Sequence, residues 1–355
     1  MKLAIMLPNW IGDACMATPA LRALRTGNSG LEHVCWIGRP APMMVLEGLP
    51  WCDSTLVYKP RARGAGIFNR RGLAREMKRR RFDAVLLLTN SLSTAAIAWL
   101  SGVPRRIGYA RDGRSMMLTE RVPVIDGQRN ARTDPCIDSY LRLADHLGCD
   151  ISDRRMELTA TQHDRQMTED LWKKIGFRNN CLTIVMNTGA ATADTKRWPN
   201  HHAVSVAKRL SKDYGAQVLI HCGPAEREVA DAIQHDADDP KIRSMGCMTS
   251  LPLGLSKGVL ERSDLVISTD SGPRHMAVAL NKPVISLFGP ISPSLTRTYN
   301  VPEATLSLGL ECQPCGKYKC PLKHAKCMKD LDSRRVLAAA TKILQESPTL
   351  QRRAS

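Results

Sequence analysis

The chain has 355 residues, of which 43% are hydrophobic and 24% charged, a composition typical of a globular protein long enough for two domains. Its 51 Lys and Arg residues against 34 Asp and Glu residues give a formal net charge of +17, which predicts an acidic partner: nucleic acid, an anionic membrane or a phosphorylated substrate. Because the N-terminus lacks a signal peptide's apolar run and the uncharged stretch 84–103 is too rich in Ser and Thr to span a bilayer, we expect a cytoplasmic protein with mostly reduced cysteines.

The first half of the chain alternates strand-like apolar runs with helical segments. Residues 3–7 predict the first strand, and a helix is predicted over about residues 14–25. Further strand-like runs lie at 34–37, 84–89 and 106–109. This alternation predicts an α/β fold with a doubly wound parallel sheet.

Asp13 lies beside Gly12 where the first predicted helix begins. Asp is a favoured helix-capping residue, so one interpretation of this position is structural. The other is a catalytic carboxylate, because ligands of open parallel sheets bind at the carboxyl ends of the strands. Both interpretations stay open on these residues alone.

A strongly basic segment follows the first strands. It contains Arg61, Arg63, Arg70, Arg71 and Arg75, and ends in the run Lys78, Arg79, Arg80 and Arg81. One interpretation is a solvated helix face, and another is a surface for anionic lipid or a phosphorylated substrate. Because the chain has no recognisable nucleic-acid-binding motif, we expect no nucleic-acid partner.

The second half repeats the alternation after a polar, helical linker-like region at 149–180. Strands are predicted at 182–187, 217–222, 265–269 and 284–288, and helices at 201–213 and 226–235. We therefore predict two Rossmann-like domains, residues 1–165 and 166–331, followed by a C-terminal helix and tail over 332–355.

The loop after strand 182–187 has the sequence NTGAATADTKRWP. Gly189 permits close backbone approach to a ligand, Thr188 and Thr192 can donate hydrogen bonds, and Lys196 is a compact cation suited to phosphate. The spacing of a Walker A motif is absent. The alternative is a flexible loop with a solvated Lys-Arg pair.

A second polar turn, Asp270, Ser271 and Gly272, ends strand 265–269 and precedes a short apolar helix. The unpaired N–H groups and positive dipole end of that helix predict a phosphate site, with Asp270 and His275 beside it. The alternative is that Asp270 caps the helix and His275 is a buried, hydrogen-bonded core residue.

Four cysteines near the C-terminus follow the pattern C-x2-C-x4-C-x6-C. They are Cys312, Cys315, Cys320 and Cys327. The first pair has the spacing of structural zinc sites, and four thiolates would leave no open position for catalysis. Free thiols and disulfides are the alternatives.

Three segments together resemble the lipopolysaccharide heptosyltransferases of glycosyltransferase family 9, most closely the heptosyltransferase II type. They are PNWIGDACMATPALRALR, the Lys-x-Trp-Pro loop GAATADTKRWP and the Asp-x-Gly-x-x-His region STDSGPRHMAVALNKPVISLFGP. The resemblance implies a GT-B fold, in which two Rossmann-like domains face each other across a cleft. It also implies Asp13 as general base and a donor site formed by Thr188, Thr192, Lys196, Glu226 (or Glu228), Asp270, Ser271, Gly272 and His275.

The same resemblance implies a reaction and its partners. The donor would be ADP-L-glycero-D-manno-heptose, and the acceptor the phosphorylated Kdo-lipid A inner core at the inner face of a Gram-negative cytoplasmic membrane. Transfer would invert the anomeric centre and would require no metal cofactor. The remaining cofactor prediction is a structural zinc at the four C-terminal cysteines. The alternatives are a related glycosyltransferase with another nucleotide sugar, and a zinc-containing nucleic-acid-binding protein.

Overall fold

The computed structural model describes residues 1–27, 30–60, 68–124, 135–189, 194–299 and 301–347. The chain divides into two compact units, one comprising Met1–Leu158 and Ser294–Arg297 and the other beginning at Thr159. The boundary predicted after residue 165 falls inside a helix of the second unit, Gln162–Ile175, which is capped at Thr161. In the part of the chain described, no helix combines the length and the apolar character needed to cross a membrane.

The first unit has a six-stranded parallel sheet in the order β3-β2-β1-β4-β5-β6. Its strands are β1 (Lys2–Met6), β2 (His33–Gly38), β3 (Ser54–Val57), β4 (Ala84–Leu87), β5 (Arg105–Tyr109) and β6 (Glu120–Val122). Its helices are α1 (Ile11–Gly27), α2 (Pro40–Leu46), α3 (Arg70–Arg80), α4 (Leu92–Leu100) and α5 (Cys136–Asp145).

Both faces of this sheet are covered. Ala4 and Met6 of β1 pack with α3 and α4 in one apolar cluster, while Leu3 and Ile5 are buried on the opposite face. On neighbouring elements, α1 packs against α2 and α5. A strand that is buried on both faces has a continuous run of apolar residues, and this run is why β1 could be predicted from the sequence.

The second unit repeats this topology in the order β12-β11-β10-β7-β8-β9, again with every pair parallel. Its strands are β7 (Thr183–Asn187), β8 (Gln217–Ile220), β9 (Ile242–Ser244), β10 (Leu265–Thr269), β11 (Val284–Leu287) and β12 (Glu303–Leu306). Its helices are α6 (Gln162–Ile175), α7 (Asn200–Tyr214), α8 (Arg227–Ala237), α9 (Leu253–Arg262), α10 (Gly272–Ala279), α11 (Lys326–Lys329) and α12 (Ser333–Glu346).

The predicted α/β class with two Rossmann-like halves is confirmed by these two parallel sheets. The C-terminal helix α12 packs against α7 and the sheet edge of the second unit. In the second unit the chain runs from β7 outward to β8 and β9, and then crosses back to place β10 on the other side of β7. The strand order therefore reverses between β7 and β10, and ligands of such sheets bind at a switch point of this kind.

Candidate functional site

Two loops meet at the carboxyl ends of the adjacent strands β7 and β10. The side-chain amide of Asn187 donates to Ser271 Oγ at 3.0 Å and to Ser268 Oγ at 3.2 Å. The hydroxyl of Thr269 donates to the carbonyl of Gly189 at 2.6 Å. These bonds join the segment after β7 to the Asp270 turn, so the two segments predicted to bind phosphate lie side by side.

Lys196 and Asp270 form the central ion pair of this site. The Lys196 ammonium lies 2.7 Å from Asp270 Oδ2 and also donates to the Asp270 carbonyl at 2.9 Å. Asp270 is buried, whereas Lys196 is half-buried. The ammonium is therefore not a freely solvated charge but is held in one orientation at the rim of the sheet.

Two cations support the charge of Asp270. Burial raises the pKa of this carboxyl, but Lys196 and Arg274 outweigh it and hold the pKa below its usual range. Arg274 Nη1 lies 3.7 Å and His275 Nε2 3.8 Å from Asp270 Oδ1. Asp270 is thus an anion at neutral pH.

Arg274, which the sequence analysis did not single out, lies beside Asp270 in the candidate site. It is fully buried, and its guanidinium lies 2.6 Å from Glu303 Oε1 and 4.9 Å from the Phe288 ring centroid. Its Nε donates to Ser286 Oγ at 2.7 Å. The available signal was its place in the first turn of α10, two residues after Gly272, but its partner Glu303 is distant in sequence.

Two buried histidines of the second unit, His221 and His275, are neutral. Burial, reinforced by Arg274, lowers the pKa of His275 to about 3, and burial lowers that of His221 to about 4. His221 hydrogen-bonds Asn187 Oδ1 at 3.3 Å and Ser256 Oγ at 2.9 Å, and the sequence analysis did not identify it. Within the described residues, the buried Nδ1 of His275 has no hydrogen-bond partner.

Glu226 approaches the same site from the loop after β8. Its Oε2 accepts a hydrogen bond from the backbone N–H of Gly223 at 3.3 Å. A Cβ placed on Gly189 would lie 2.0 Å from Glu226 Oε1, so this carboxylate occupies the space that glycine leaves open. Oε1 is buried without a partner among the described residues, whereas Glu228 is exposed on α8.

The remaining predicted donor residues differ in their settings. Ser271 and Gly272 stand where α10 begins, and the Ser271 hydroxyl donates to the Thr269 carbonyl at 3.1 Å. Thr188 is buried, and its carbonyl accepts a hydrogen bond from the backbone N–H of Trp198 at 3.0 Å. Thr192 lies outside the described residues.

Asp13 is the third residue of α1 and therefore not its N-cap residue. The hydroxyl of the buried Tyr140, on α5, donates to Asp13 Oδ1 at 3.0 Å. That bond gives the carboxylate a defined orientation within the first unit.

The basic segment is partly neutralised within its own helix. Arg79 and Arg80 both hydrogen-bond Glu76, at 2.7 and 2.8 Å, and these bonds lower the pKa of Glu76 to about 2. Lys78 and Arg81 are exposed. Arg61 and Arg63 lie outside the described residues.

The four C-terminal cysteines have reduced thiols. Cys320 Sγ accepts a hydrogen bond from the Ala325 N–H at 3.4 Å, and backbone N–H groups of residues 322–325 lower its thiol pKa. The pKa of Cys327 is raised by burial and then by the thiols of the other three cysteines. Among the described residues, no three His, Cys, Asp or Glu side chains are arranged to hold a metal ion, so structural zinc stays a prediction.

Comparison with known proteins points to one family. The profile of glycosyltransferase family 9 (heptosyltransferase) matches residues 70–326. Lipooligosaccharide heptosyltransferase 2 of Campylobacter jejuni is 24% identical over 350 residues, covering 98% of this chain and 99% of the relative.

Two solved structures share the fold. The family 9 glycosyltransferase of Veillonella parvula superposes with a TM-score of 0.81 at 22% identity, covering 98% of this chain and 97% of that one. Escherichia coli ADP-heptose LPS heptosyltransferase II gives a TM-score of 0.77 at 22% identity, with 98% and 99% covered. The α/β architecture is therefore that of the GT-B heptosyltransferases.

Proposed function

Since the chain belongs to glycosyltransferase family 9, the heptosyltransferases, we propose that it transfers L-glycero-D-manno-heptose from ADP-heptose to the inner core of lipopolysaccharide. The observation that carries the proposal is the convergence of Glu226, Lys196 and Asp270 at the carboxyl ends of β8, β7 and β10. A site with two unsatisfied buried polar atoms, on Glu226 and His275, suits a ligand that brings hydroxyl groups.

The donor nucleotide would be held by complementary chemistry. The Glu226 Oε1 atom would accept hydrogen bonds from ribose hydroxyls, because it has no partner among the described residues. The diphosphate would meet the Lys196 ammonium and the N–H groups that begin α10. Asp270 holds Lys196 in place before the ligand arrives, so little ordering cost remains at binding. Thr192 and Thr188 would add contacts from the loop after β7.

The proposed reaction is an inverting displacement. Asp13 accepts the proton of an acceptor hydroxyl as that oxygen bonds to the anomeric carbon from the face opposite ADP. The bond between the anomeric carbon and the diphosphate oxygen breaks, and the sugar passes through an oxocarbenium-like state. Lys196 and the N-terminus of α10 stabilise the negative charge that develops on the departing diphosphate. This mechanism uses no metal cofactor.

The acceptor is proposed to be phosphorylated Kdo-lipid A that already carries one heptose, which makes this transfer the second. The name of the Campylobacter jejuni relative, a heptosyltransferase 2, supports that assignment. Lys78, Arg79 and Arg81, with Arg80, Arg61 and Arg63, would attract the acidic core, and the enzyme would work peripherally at the inner face of the cytoplasmic membrane.

The test is a donor panel with a truncated, heptose-bearing inner core as acceptor. ADP-heptose should be consumed with release of ADP, while UDP- and GDP-sugars should give at most background turnover. Preferential use of another nucleotide sugar would replace the proposed donor and favour the related-glycosyltransferase alternative. Comparing acceptors with and without the first heptose decides which transfer is catalysed.

A further inference from the structure

Helix α4 exposes an apolar stripe in the first unit. None of its nine residues, LSTAAIAWL, is charged, and seven of them are apolar. One side packs into the core through Ala95, Ile97 and Ala98. The opposite side leaves Leu92, Trp99 and Leu100 exposed at 50%, 55% and 60% of their surface. Their spacing of seven and eight residues places these three side chains on one face of the helix.

A turn beside α4 carries another exposed apolar side chain. The 3-10 turn Ser115–Met117 packs against α4, and its Met117 contributes to the same core cluster. Met116 instead points outward, with 86% of its surface exposed. We call Leu92, Trp99, Leu100 and Met116 the α4 patch.

The α4 patch has basic neighbours. Helix α3 packs beside α4 and buries Leu73, Ala74 and Met77, so its opposite side faces solvent. The exposed basic residues on that side are Arg70, Arg71, Arg75, Lys78 and Arg79. At the other side, the exposed Arg121 of β6 donates to the Ser115 carbonyl of the turn at 3.1 Å. Apolar and cationic side chains thus occur together on one layer of the first unit.

We propose that the α4 patch docks onto an anionic lipid bilayer, with Trp99, Leu100 and Met116 entering the headgroup region while the α3 cations contact acidic headgroups. Tryptophan favours the membrane interface, where its apolar ring and polar N–H are both accommodated. Apolar insertion and a basic surface each contribute to binding, and stable attachment of a peripheral protein generally needs both. A second copy of this chain is a poorer occupant, because the contact would bring two basic surfaces together.

This inference extends the proposed function, whose acceptor is anchored in a membrane, but its observations are independent of the donor site. It adds apolar side chains of α4 and its neighbouring turn to the basic surface that the sequence analysis identified. It also assigns the apolar contribution to membrane binding to α4 and the turn that contains Met116. The basic helix α3 alone would give only a weak attraction to the membrane that salt would reduce.

The first experiment is co-sedimentation with phosphatidylcholine vesicles that contain or lack phosphatidylglycerol, without donor or acceptor. Wild type should bind the anionic vesicles, and the triple variant Trp99→Ser/Leu100→Ser/Met116→Ser should partition about tenfold less or weaker still. The matched control is Tyr318→Ser/Leu322→Ser, which removes two exposed apolar side chains of the second unit, at 67% and 58% exposure. It should bind like wild type.

The second experiment needs no disruptive variant. Vesicles with brominated acyl chains should quench part of the tryptophan fluorescence of wild type, and Trp99→Phe should remove that quenched part while retaining the fold. Equal binding of the triple variant and wild type, or quenching that persists in Trp99→Phe, would overturn the inference. A change in solution mass caused by the triple variant would instead assign the patch to self-association and also overturn it.

The two proposals fail separately. Vesicle binding through the α4 patch without heptose transfer would contradict only the proposed function. Heptose transfer by a chain that binds vesicles without using the patch would contradict only the membrane inference.

Discussion

At the residue scale, the charges around Asp270 are arranged as a mutually dependent network. Asp270 is shared by Lys196 and Arg274, and Arg274 is in turn paired with the partly buried Glu303. Removing one member leaves an opposite charge buried with fewer partners, which is costly in a region of low dielectric. Lys196 is the least buried of these charges, so we expect its substitution to damage the fold less than a change at Arg274.

Replacing Lys196 with Ala should weaken ADP binding by about 10- to 100-fold, the range expected for a lost charge-assisted hydrogen bond. Isothermal titration calorimetry measures the effect. The control is Lys208→Ala on α7, an exposed lysine outside the site, which should bind ADP like wild type. Unchanged affinity in Lys196→Ala would remove this residue from the donor site.

Replacing Asp13 with Ala should lower kcat by about 10²- to 10⁴-fold, the contribution of a general base, while ADP affinity stays unchanged. Tyr140→Phe should lower kcat by only about tenfold, because it deletes one hydrogen bond that orients the Asp13 carboxylate. Steady-state kinetics and calorimetry separate the two effects. Full activity of Asp13→Ala would refute the assigned role.

Gly189→Ala tests the position of Glu226. The added Cβ would lie 2.0 Å from Glu226 Oε1 and must displace the carboxylate, so ADP affinity should fall about tenfold. Gly223→Ala is the matched control, because its Cβ would make an ordinary contact of 3.5 Å with Glu226 Oε2. Equal affinities of the two variants would show that Glu226 does not contact the nucleotide.

The buried histidines predict how stability depends on pH. In the unfolded chain histidine titrates near 6.5, whereas His221 and His275 have folded-state pKa values of about 4 and about 3. At a pH between the unfolded and folded pKa values, the unfolded chain binds more protons than the folded chain. The free energy of unfolding therefore decreases as pH falls from 6.5 toward 4, by at most about 1.4 kcal/mol per pH unit for each histidine. Urea unfolding of wild type and His221→Asn should show a smaller slope in the variant; equal slopes would contradict the assignment.

At the element scale, central and edge strands differ in how visible they are in the sequence. The prediction for β10 matched its observed bounds, and β1, β2 and β7 were found within one or two residues, because central strands are continuous apolar runs. The edge strands β3, β6, β9 and β12 were missed. Each has only three or four residues and includes polar ones, so its strand conformation depends on the neighbour it pairs with.

At the scale of the whole molecule, the net charge of +17 should act on the acceptor over a longer range than any single contact. Raising the salt concentration from about 0.01 M to about 0.15 M shortens the Debye length from about 30 to about 8 Å. The acceptor KM should therefore rise several-fold over that range. A flat response to salt would argue against electrostatic attraction of the acceptor.

A charge variant identifies the surface responsible for that attraction. Arg71→Gln/Arg75→Gln/Lys78→Gln on α3 should raise the acceptor KM at low salt and flatten its salt dependence. Lys208→Gln/Lys212→Gln on α7 also removes exposed cations, but in the second unit, and should retain the wild-type response. Equal behaviour of both variants would mean that the whole-molecule charge, and not the α3 surface, steers the acceptor.

The sequence by itself determined the α/β class, the two-part organisation and the loops of the candidate site, because these follow from local apolar runs and from short motifs read along the chain. Only the tertiary structure decided which side chains meet. It paired Lys196 with Asp270 and buried Arg274 against Glu303, placed Glu226 against Gly189 in preference to Glu228, and left one face of α4 in solvent. Those outcomes depend on contacts between residues far apart in the chain, whose energies arise only when parallel strands bring their carboxyl ends together.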